Sequence, residues 1–153
     1  MPALHDTGAM NGIAAAVAVA VTFVWLGMVL AISFLEAPLK FRAPGVTIPL
    51  GLGIGRLVFR ALNAVEAVLA VALVTAVAVA APPLPVIVLT ALGALLLAVQ
   101  LTAIRPVLNR RSDRVLAGES LPRSRAHLVY IAFETLKVGT LLALGITALA
   151  YGS

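Results

Sequence analysis

The sequence predicts an all-α fold, a bundle of four transmembrane helices that forms a single membrane domain over residues 1–153. The first observation is the composition, because 62% of the residues are hydrophobic, 11% are charged and the mean hydropathy is +1.12. The second is a set of four apolar runs, each long enough to cross about 30 Å of hydrocarbon as a helix. The third is the position of the basic residues, which lie between these runs. Together they indicate a multi-pass integral membrane protein.

The predicted helices cover about residues 12–35, 56–81, 84–104 and 126–151. A Pro-rich turn at 82–85 is short enough to make the second and third helices antiparallel neighbours. Two predicted basic loops, 36–55 and 105–125, join the other helices. Segment 43–55 of the first loop is apolar but rich in Gly and Pro, which break helices. It is consistent with a surface loop or with a re-entrant segment that enters the membrane interface.

The basic residues predict the orientation of the helices. Of eleven Lys and Arg residues, ten lie in or beside the two predicted loops: Lys40, Arg42, Arg56, Arg60, Arg105, Arg110, Arg111, Arg114, Arg123 and Arg125. Because cytoplasmic loops are enriched in Lys and Arg, both loops are expected in the cytoplasm and both termini on the opposite side. Residues 1–11 contain no Lys or Arg and so lack the positive start of a signal peptide, and the first helix is expected to be retained.

The remaining basic residue, Lys137, lies within the fourth predicted helix, about eleven residues or roughly 16 Å from its cytoplasmic end. An ionisable group at that depth normally faces the interior of a bundle and has a partner. Glu66 lies at about the same depth on the second predicted helix. The sequence therefore predicts an ion pair between Glu66 and Lys137.

Other polar residues extend this pair into a predicted cavity in the cytoplasmic half of the bundle. Residues spaced by three, four and three positions share one face of the fourth helix, and a similar polar stripe runs along the second. The predicted ligand-binding residues are Asn63, Glu66, Gln100, His127, Tyr130, Glu134 and Lys137. The other half of the bundle is almost wholly Ala, Val and Leu, so no continuous polar path across the membrane is expected.

Simpler interpretations of these residues stay open. Lys137 paired with Glu66 or Glu134 is as consistent with a structural tie that fixes the register of the helices as with a functional site. His127 lies near a helix start, where an interfacial role is common. Trp25 lies near the middle of the first helix, where a packing role is expected. A set of arginines sets the orientation and could hold lipid headgroups in the cytoplasm: Arg56, Arg60, Arg110, Arg111 and Arg114.

Several kinds of site are excluded or not indicated. The chain has no cysteine, which excludes disulfides, thiolate metal sites and cysteine nucleophiles. Its two histidines are predicted on opposite sides of the membrane, so no histidine-based metal or haem site is expected. No P-loop, GxSxG or HExxH motif is present, and whether a cofactor is bound is unknown from the sequence. The net charge of +5 comes without a basic tail or an aromatic-basic stripe, so nucleic acid is not an expected partner.

Three stretches of the sequence, residues 34–41, 53–66 and 127–137, resemble a family of uncharacterised bacterial four-helix membrane proteins. The resemblance covers most of the chain. It implies a location in the bacterial plasma (inner) membrane and does not imply an activity.

The second helix is also similar to that of the MAPEG superfamily, trimeric glutathione- and eicosanoid-metabolising membrane enzymes of this length with four helices. The similarity rests on Arg60 and Ala61, followed by Asn63 and then Glu66. The spacing is one residue shorter than in that superfamily, and the arginine-tyrosine motif expected on the third helix is absent. This resemblance implies a membrane transferase that acts on lipophilic electrophiles.

The sequence therefore predicts a small, non-enzymatic integral membrane protein. Its polar cavity is expected to bind or translocate a small ligand, a proton or a lipid headgroup, alone or within a homo-oligomer or a larger membrane complex. A transferase similar to the MAPEG superfamily is the alternative, and a purely structural accessory subunit is a further one. The lipid bilayer is the partner that the composition itself indicates.

Overall fold

The first two helices of the chain are joined by a short loop. In the computed structural model, which describes residues 6–122 and 124–152, helix α1 is one continuous run from Asp6 to Arg42. It comprises the α-helix Asp6–Val29, the π-helix Leu30–Glu36, the α-helical turn Ala37–Leu39 and the 3-10 turn Lys40–Arg42. Helix α2 follows as Ile48–Ala80.

The last two helices follow a tight turn. Helix α3 comprises the α-helix Leu84–Val99, the π-helix Gln100–Ile104 and the α-helix Arg105–Leu116. Helix α4 spans Arg125–Gly152. Among the described residues there is no β-strand.

The four helices pack as a closed bundle. Helix α1 contacts α2 and α4, and α3 contacts the same two helices. The connections are short, at 43–47, 81–83 and 117–124, so successive helices run antiparallel. Loops 43–47 and 117–124 lie at the same end of the bundle, and the helix segments next to them carry the Arg and Lys residues. This end is called the basic end below.

The outside of the bundle is as apolar as its inside. The core is built around side chains such as Trp25, Leu141 and Leu144, which are at most 1% exposed. Large apolar side chains also point outward, and Leu57 and Val71 are each 68% exposed. Four helices are long and apolar enough to cross a membrane: Gly12–Arg42, Ile48–Ala80, Leu84–Leu116 and Arg125–Tyr151. The prediction of an all-α fold with four such helices is therefore confirmed.

The first predicted loop, 36–55, is mostly helical in the structure, and only 43–47 is irregular. Segment 43–55 is thus neither a surface loop nor a re-entrant segment over most of its length, because α2 begins at Ile48. Thr47 caps α2, since its hydroxyl oxygen accepts a hydrogen bond from Leu50 N at 3.4 Å, and a proline is favourable in the first turn. Gly51 serves packing, since a Cβ there would collide with the Phe41 ring of α1.

The second predicted loop, 105–125, is also shorter than predicted, because α3 continues to Leu116. The first and third predicted helices end before Pro38 and Pro106. In the structure both helices continue through these prolines. A proline has no N–H and crowds the carbonyl one turn earlier, which normally breaks a helix. Here each helix widens into a π-helix that ends two residues before the proline, at Glu36 and at Ile104. A π-helix is a known way to accommodate such a disruption without ending the helix.

Candidate functional site

Five buried side chains from all four helices form one hydrogen-bonded group, called the polar cluster below: Trp25, Glu66, Gln100, Glu134 and Lys137. Helix α1 contributes the tryptophan, α2 the first glutamate, α3 the glutamine and α4 the other two residues. None of the five is more than 2% exposed. Polar groups this deeply buried must satisfy one another, because water does not reach them.

Lys137 lies at the centre of the polar cluster. Its Nζ lies 2.5 Å from Glu66 Oε1, 2.9 Å from Glu134 Oε1 and 2.8 Å from Gln100 Oε1. An ammonium group has three N–H donors, and these three oxygens match that number. The predicted ion pair between Glu66 and Lys137 is present as a direct contact.

The outer members of the polar cluster complete its hydrogen bonds. Gln100 Nε2 donates to Glu134 Oε1 at 2.7 Å, and Trp25 Nε1 donates to Glu66 Oε1 at 2.9 Å. The Oε1 atom of each glutamate thus accepts two contacts. The Oε2 atoms of Glu66 and Glu134 are buried and have no hydrogen-bond partner among the described residues.

The charges of the polar cluster do not balance. It contains the carboxyl groups of Glu66 and Glu134 but a single ammonium group, that of Lys137. If all three groups are ionised, the cluster carries one excess negative charge in a buried, low-dielectric setting. Such a charge costs several kcal/mol unless something neutralises it.

A second group of side chains lies between the polar cluster and the basic end. The guanidinium carbon of Arg105 lies 4.3 Å from the centre of the Phe59 ring and 4.4 Å from that of Tyr130. Arg105 Nη2 also donates to the Tyr130 hydroxyl oxygen at 2.7 Å. Lys40 Nζ lies 5.5 Å from the Phe59 ring centre and 3.2 Å from Glu36 Oε2. Cations over aromatic faces are attracted by the ring electrons, so these contacts hold Arg105 in place.

Tyr130 and Ser33 connect this second group to the polar cluster. Tyr130 lies one helical turn before Glu134 on the same face of α4. The Ser33 side chain, from the π-helix of α1, lies close to both Tyr130 and Glu134. Ser33 Oγ is buried. Hydroxyl groups that neighbour a carboxyl group in this way can pass a proton to it or from it.

A cavity of about 100 Å³ opens beside Arg105 and is called the arginine pocket below. Helices α2 and α3 line it with Arg56, Phe59, Arg60, Asn63, Arg105 and Asn109. A second, larger cavity of about 310 Å³ lies further along the basic end, lined by Val107, Arg110, Arg111, Arg114 and Ser124.

The structure distributes the predicted site residues among these features. Glu66, Gln100, Glu134 and Lys137 come together in the polar cluster, whereas Tyr130 contacts Arg105. Asn63, Arg56 and Arg60 line the arginine pocket, and Arg110, Arg111 and Arg114 line the larger cavity. His127 is exposed near the start of α4 and does not reach the polar cluster. Arg123 lies outside the described residues.

The predicted site residues do not include five that the structure places in the polar cluster, beside it or in the arginine pocket: Trp25, Ser33, Phe59, Arg105 and Asn109. From the sequence, Trp25 was assigned to packing and Arg105 to the orientation of the chain, and the other three were not singled out. Only Trp25 carried a usable signal, because it is the single tryptophan of the chain and lies mid-helix, where its N–H requires a partner once buried. Among the described residues, no three His, Cys, Asp or Glu side chains are grouped as a metal site would require.

No protein-family model, no curated protein and no solved structure matches this chain. The two resemblances drawn from the sequence therefore stay predictions. The residues behind the similarity to the MAPEG superfamily lie in two places, with Glu66 in the polar cluster and Arg60 and Asn63 in the arginine pocket.

Proposed function

We propose that this chain is a multi-pass protein of the bacterial inner membrane that binds a proton in its polar cluster. Its basic end faces the cytoplasm and both termini lie on the other side. The exposed apolar faces of the four helices support insertion into a membrane, because contact with lipid avoids the unfavourable exposure of apolar side chains to water. The orientation is supported by the described Lys and Arg residues, because all of them except Lys137 lie between the polar cluster and the basic end or at that end.

The observation that carries the proposal is the excess carboxyl group. A structural tie between α2 and α4 requires one cation and one anion, and Glu66 with Lys137 already supplies both. Glu134 adds a second carboxyl group to the same ammonium. One bound proton makes the cluster neutral, and it has a place to bond, since each glutamate has a buried Oε2 atom without a partner. The proton belongs to the coupled group rather than to one glutamate.

Access to the polar cluster is proposed from the cytoplasmic side. Tyr130 and Ser33 lie next to Glu134 in the direction of the basic end, where Arg105 borders the arginine pocket. On the other side of the cluster the buried side chains are mostly apolar, such as Leu73, Val77 and Leu144, and the buried polar ones are the uncharged Thr22, Thr90 and Thr140. An approach with charged groups on one side, and no buried ionisable group among the described residues on the other, favours the binding and release of a proton over its passage across the membrane.

The test is a proton count on the purified protein in lipid nanodiscs. Above about pH 6, where an exposed carboxyl group is already ionised, the unaltered chain should exchange about one more proton with the solvent than Glu134→Gln, because the cluster of the variant is already neutral. Glu119→Gln is the matched control, since Glu119 is an exposed carboxyl group paired with Arg114 on the surface. The control should titrate like the unaltered chain. Equal proton uptake by the unaltered chain and Glu134→Gln would overturn the proposal.

Trp25 offers a second measurement of the same event. It is the single tryptophan of the chain, and its indole N–H donates to Glu66, so its fluorescence reports on the polar cluster. The emission of the unaltered chain should shift over the pH range in which the proton is taken up. The shift should be absent in Glu134→Gln and present in Glu119→Gln.

The direct contact between Glu66 and Lys137 favours a second candidate, a purely structural role for the polar cluster. In that case Glu134→Gln should change the stability of the chain without changing its proton exchange above about pH 6. The proton count therefore separates the two candidates, whereas stability alone does not.

A further inference from the structure

The arginine pocket is a small cavity whose polar lining consists of hydrogen-bond donors and amides. Three arginines, two asparagines and the Phe59 ring line it, and no carboxyl group does. A guanidinium group has five N–H donors and no acceptor, so the three arginines supply only donors to the pocket. This composition indicates an anionic ligand.

Arg105 is held in position by contacts that leave donors free. Its guanidinium group contacts Phe59 and Tyr130, and one of its terminal nitrogens donates to the Tyr130 hydroxyl oxygen. Arg105 Nε is buried without a hydrogen-bond partner. Among the described residues Arg105 forms no salt bridge, which leaves its charge available. A planar, preoriented guanidinium group of this kind suits two parallel hydrogen bonds to one phosphate.

The net charge of the side chains around the arginine pocket matches that of a dianionic ligand. Arg56 forms a salt bridge with Asp113, with Nη1 and Oδ1 2.5 Å apart. Arg60 and Arg105 have no such partner among the described residues. With Arg56 neutralised by Asp113, the other two arginines leave two positive charges unmatched. A phosphate monoester carries close to two negative charges at neutral pH.

The size of the arginine pocket limits what it can hold. Its volume of about 100 Å³ is several times what one water molecule requires and well below the range of about 300–1,000 Å³ that is typical of sites for larger organic ligands. A phosphate group with its first bridging oxygen is of suitable size. A whole nucleotide is too large to be enclosed there.

The larger cavity at the basic end is a weaker candidate. Two of its three arginines already have partners, since Arg114 forms a salt bridge with Glu119 and Arg111 donates to the carbonyl oxygen of Pro122. Its remaining arginine, Arg110, is exposed, as Arg60 of the arginine pocket is, so the two cavities differ in Arg105. Nothing in that cavity matches the buried, unpartnered nitrogen of Arg105.

From these contacts we propose that the arginine pocket binds the phosphate group of a phosphate monoester. The terminal phosphate is held by Arg60 and Arg105, and Asn63 and Asn109 supply amide hydrogen bonds. The inference does not depend on proton binding in the polar cluster, because none of its supporting residues belongs to that cluster. The phosphate can belong to a soluble compound or to a lipid headgroup, and the experiment separates these two sources.

The experiment measures thermal unfolding of the full chain in a neutral detergent with increasing inorganic phosphate. A ligand that binds the folded state raises the unfolding temperature in a concentration-dependent way. Arg60→Gln should weaken phosphate binding by about tenfold or more, because it removes a charged hydrogen-bond donor. Arg42→Gln is the matched control, since it removes one exposed charge at the same end of the bundle and Arg42 lines neither the arginine pocket nor the larger cavity.

A second arm replaces inorganic phosphate with nanodiscs that contain phosphatidic acid, whose headgroup is a phosphate monoester, or only phosphatidylcholine. Stabilisation by phosphatidic acid that Arg60→Gln removes identifies a lipid headgroup, and stabilisation by inorganic phosphate alone identifies a soluble ligand. Asn63→Ala, which keeps every charge, should weaken whichever response is seen. If neither phosphate nor phosphatidic acid stabilises the chain, or if Arg42→Gln loses as much stabilisation as Arg60→Gln, the proposal is overturned.

Discussion

Lys137 has a stronger effect on the bundle than its single charge suggests, because its three contacts reach α2, α3 and its own helix. A lysine alone in a membrane helix costs about 2.5–3.5 kcal/mol. Here the cost is offset by two carboxyl groups and an amide oxygen. The same contacts make the surrounding residues dependent on it, since Glu66 and Glu134 lose their cation if it is removed.

That dependence gives a prediction for single and double variants. Lys137→Met should destabilise the folded chain by about 3 kcal/mol, because it leaves two buried carboxyl groups without a cation. Adding Glu66→Gln should restore part of this loss, since one uncompensated charge is then removed as well. Unfolding in detergent, followed by circular dichroism, measures both. A double variant less stable than Lys137→Met would contradict the picture of a charge-compensated cluster.

At the residue scale, the sequence allowed the ion pair to be predicted but not the rest of the cluster. The depths of Glu66 and Lys137 in the bundle follow from counting residues from the end of each predicted helix. Two opposite charges at the same depth can be predicted to pair from this count alone. The partners of Trp25 and Gln100 depend on the rotation of each helix about its axis, which residue counting does not provide. Arg105 was assigned to a loop because a proline follows it, and so its contacts with Phe59 and Tyr130 could not be anticipated.

At the scale of single helices, the positions of the helix ends were the least predictable feature. Proline and glycine normally indicate a break, and in this chain the helices accommodate both. The π-helices before Pro38 and Pro106 also contain Ser33 and Gln100, so the irregular turns supply side chains to the site itself. Irregular turns of this kind frequently occur at functional sites. The prolines that cause these irregular turns are visible in the sequence. The sequence does not show whether a helix widens at its proline or ends there.

The packing of α1 against α4 gives a prediction with an internal control. A Cβ on Gly145 would lie 2.6 Å from Phe23 Cζ, whereas a Cβ on Gly139 would have nothing within 4 Å. Replacing glycine by alanine within a helix favours the helix by about 1 kcal/mol at either position. Gly139→Ala should therefore stabilise the chain, and Gly145→Ala should be less stable than Gly139→Ala by about 1 kcal/mol or more, because the Phe23 ring must move. Equal stability of the two variants would show that this contact is not important.

At the scale of the whole molecule, the number of helices was predictable because hydropathy over a long window averages out local detail. Each of the four helices has an apolar stretch that no soluble bundle of this size would expose. The closed arrangement, with α1 against both α2 and α4, follows from short connections between antiparallel neighbours.

The proposed orientation can be tested directly, because the chain has no cysteine of its own. Pro83→Cys places a thiol in the exposed turn between α2 and α3, and Ser120→Cys places one in the exposed loop between α3 and α4. A thiol reagent that does not cross membranes should label the first variant in intact cells and the second only after the membrane is opened. The reverse pattern would contradict the orientation, and labelling of both in intact cells would contradict insertion.

The contact between Glu66 and Lys137 joins residues 71 positions apart, so it has a consequence for how the protein is made. Helix α2 leaves the ribosome long before α4 does, so under the proposed insertion Glu66 spends that interval in the membrane without its lysine. Synthesis of the last helix brings the ammonium group that completes the cluster. A nascent chain that stops before α4 would then retain an acidic group in the bilayer without its cation, which distinguishes it from the complete chain.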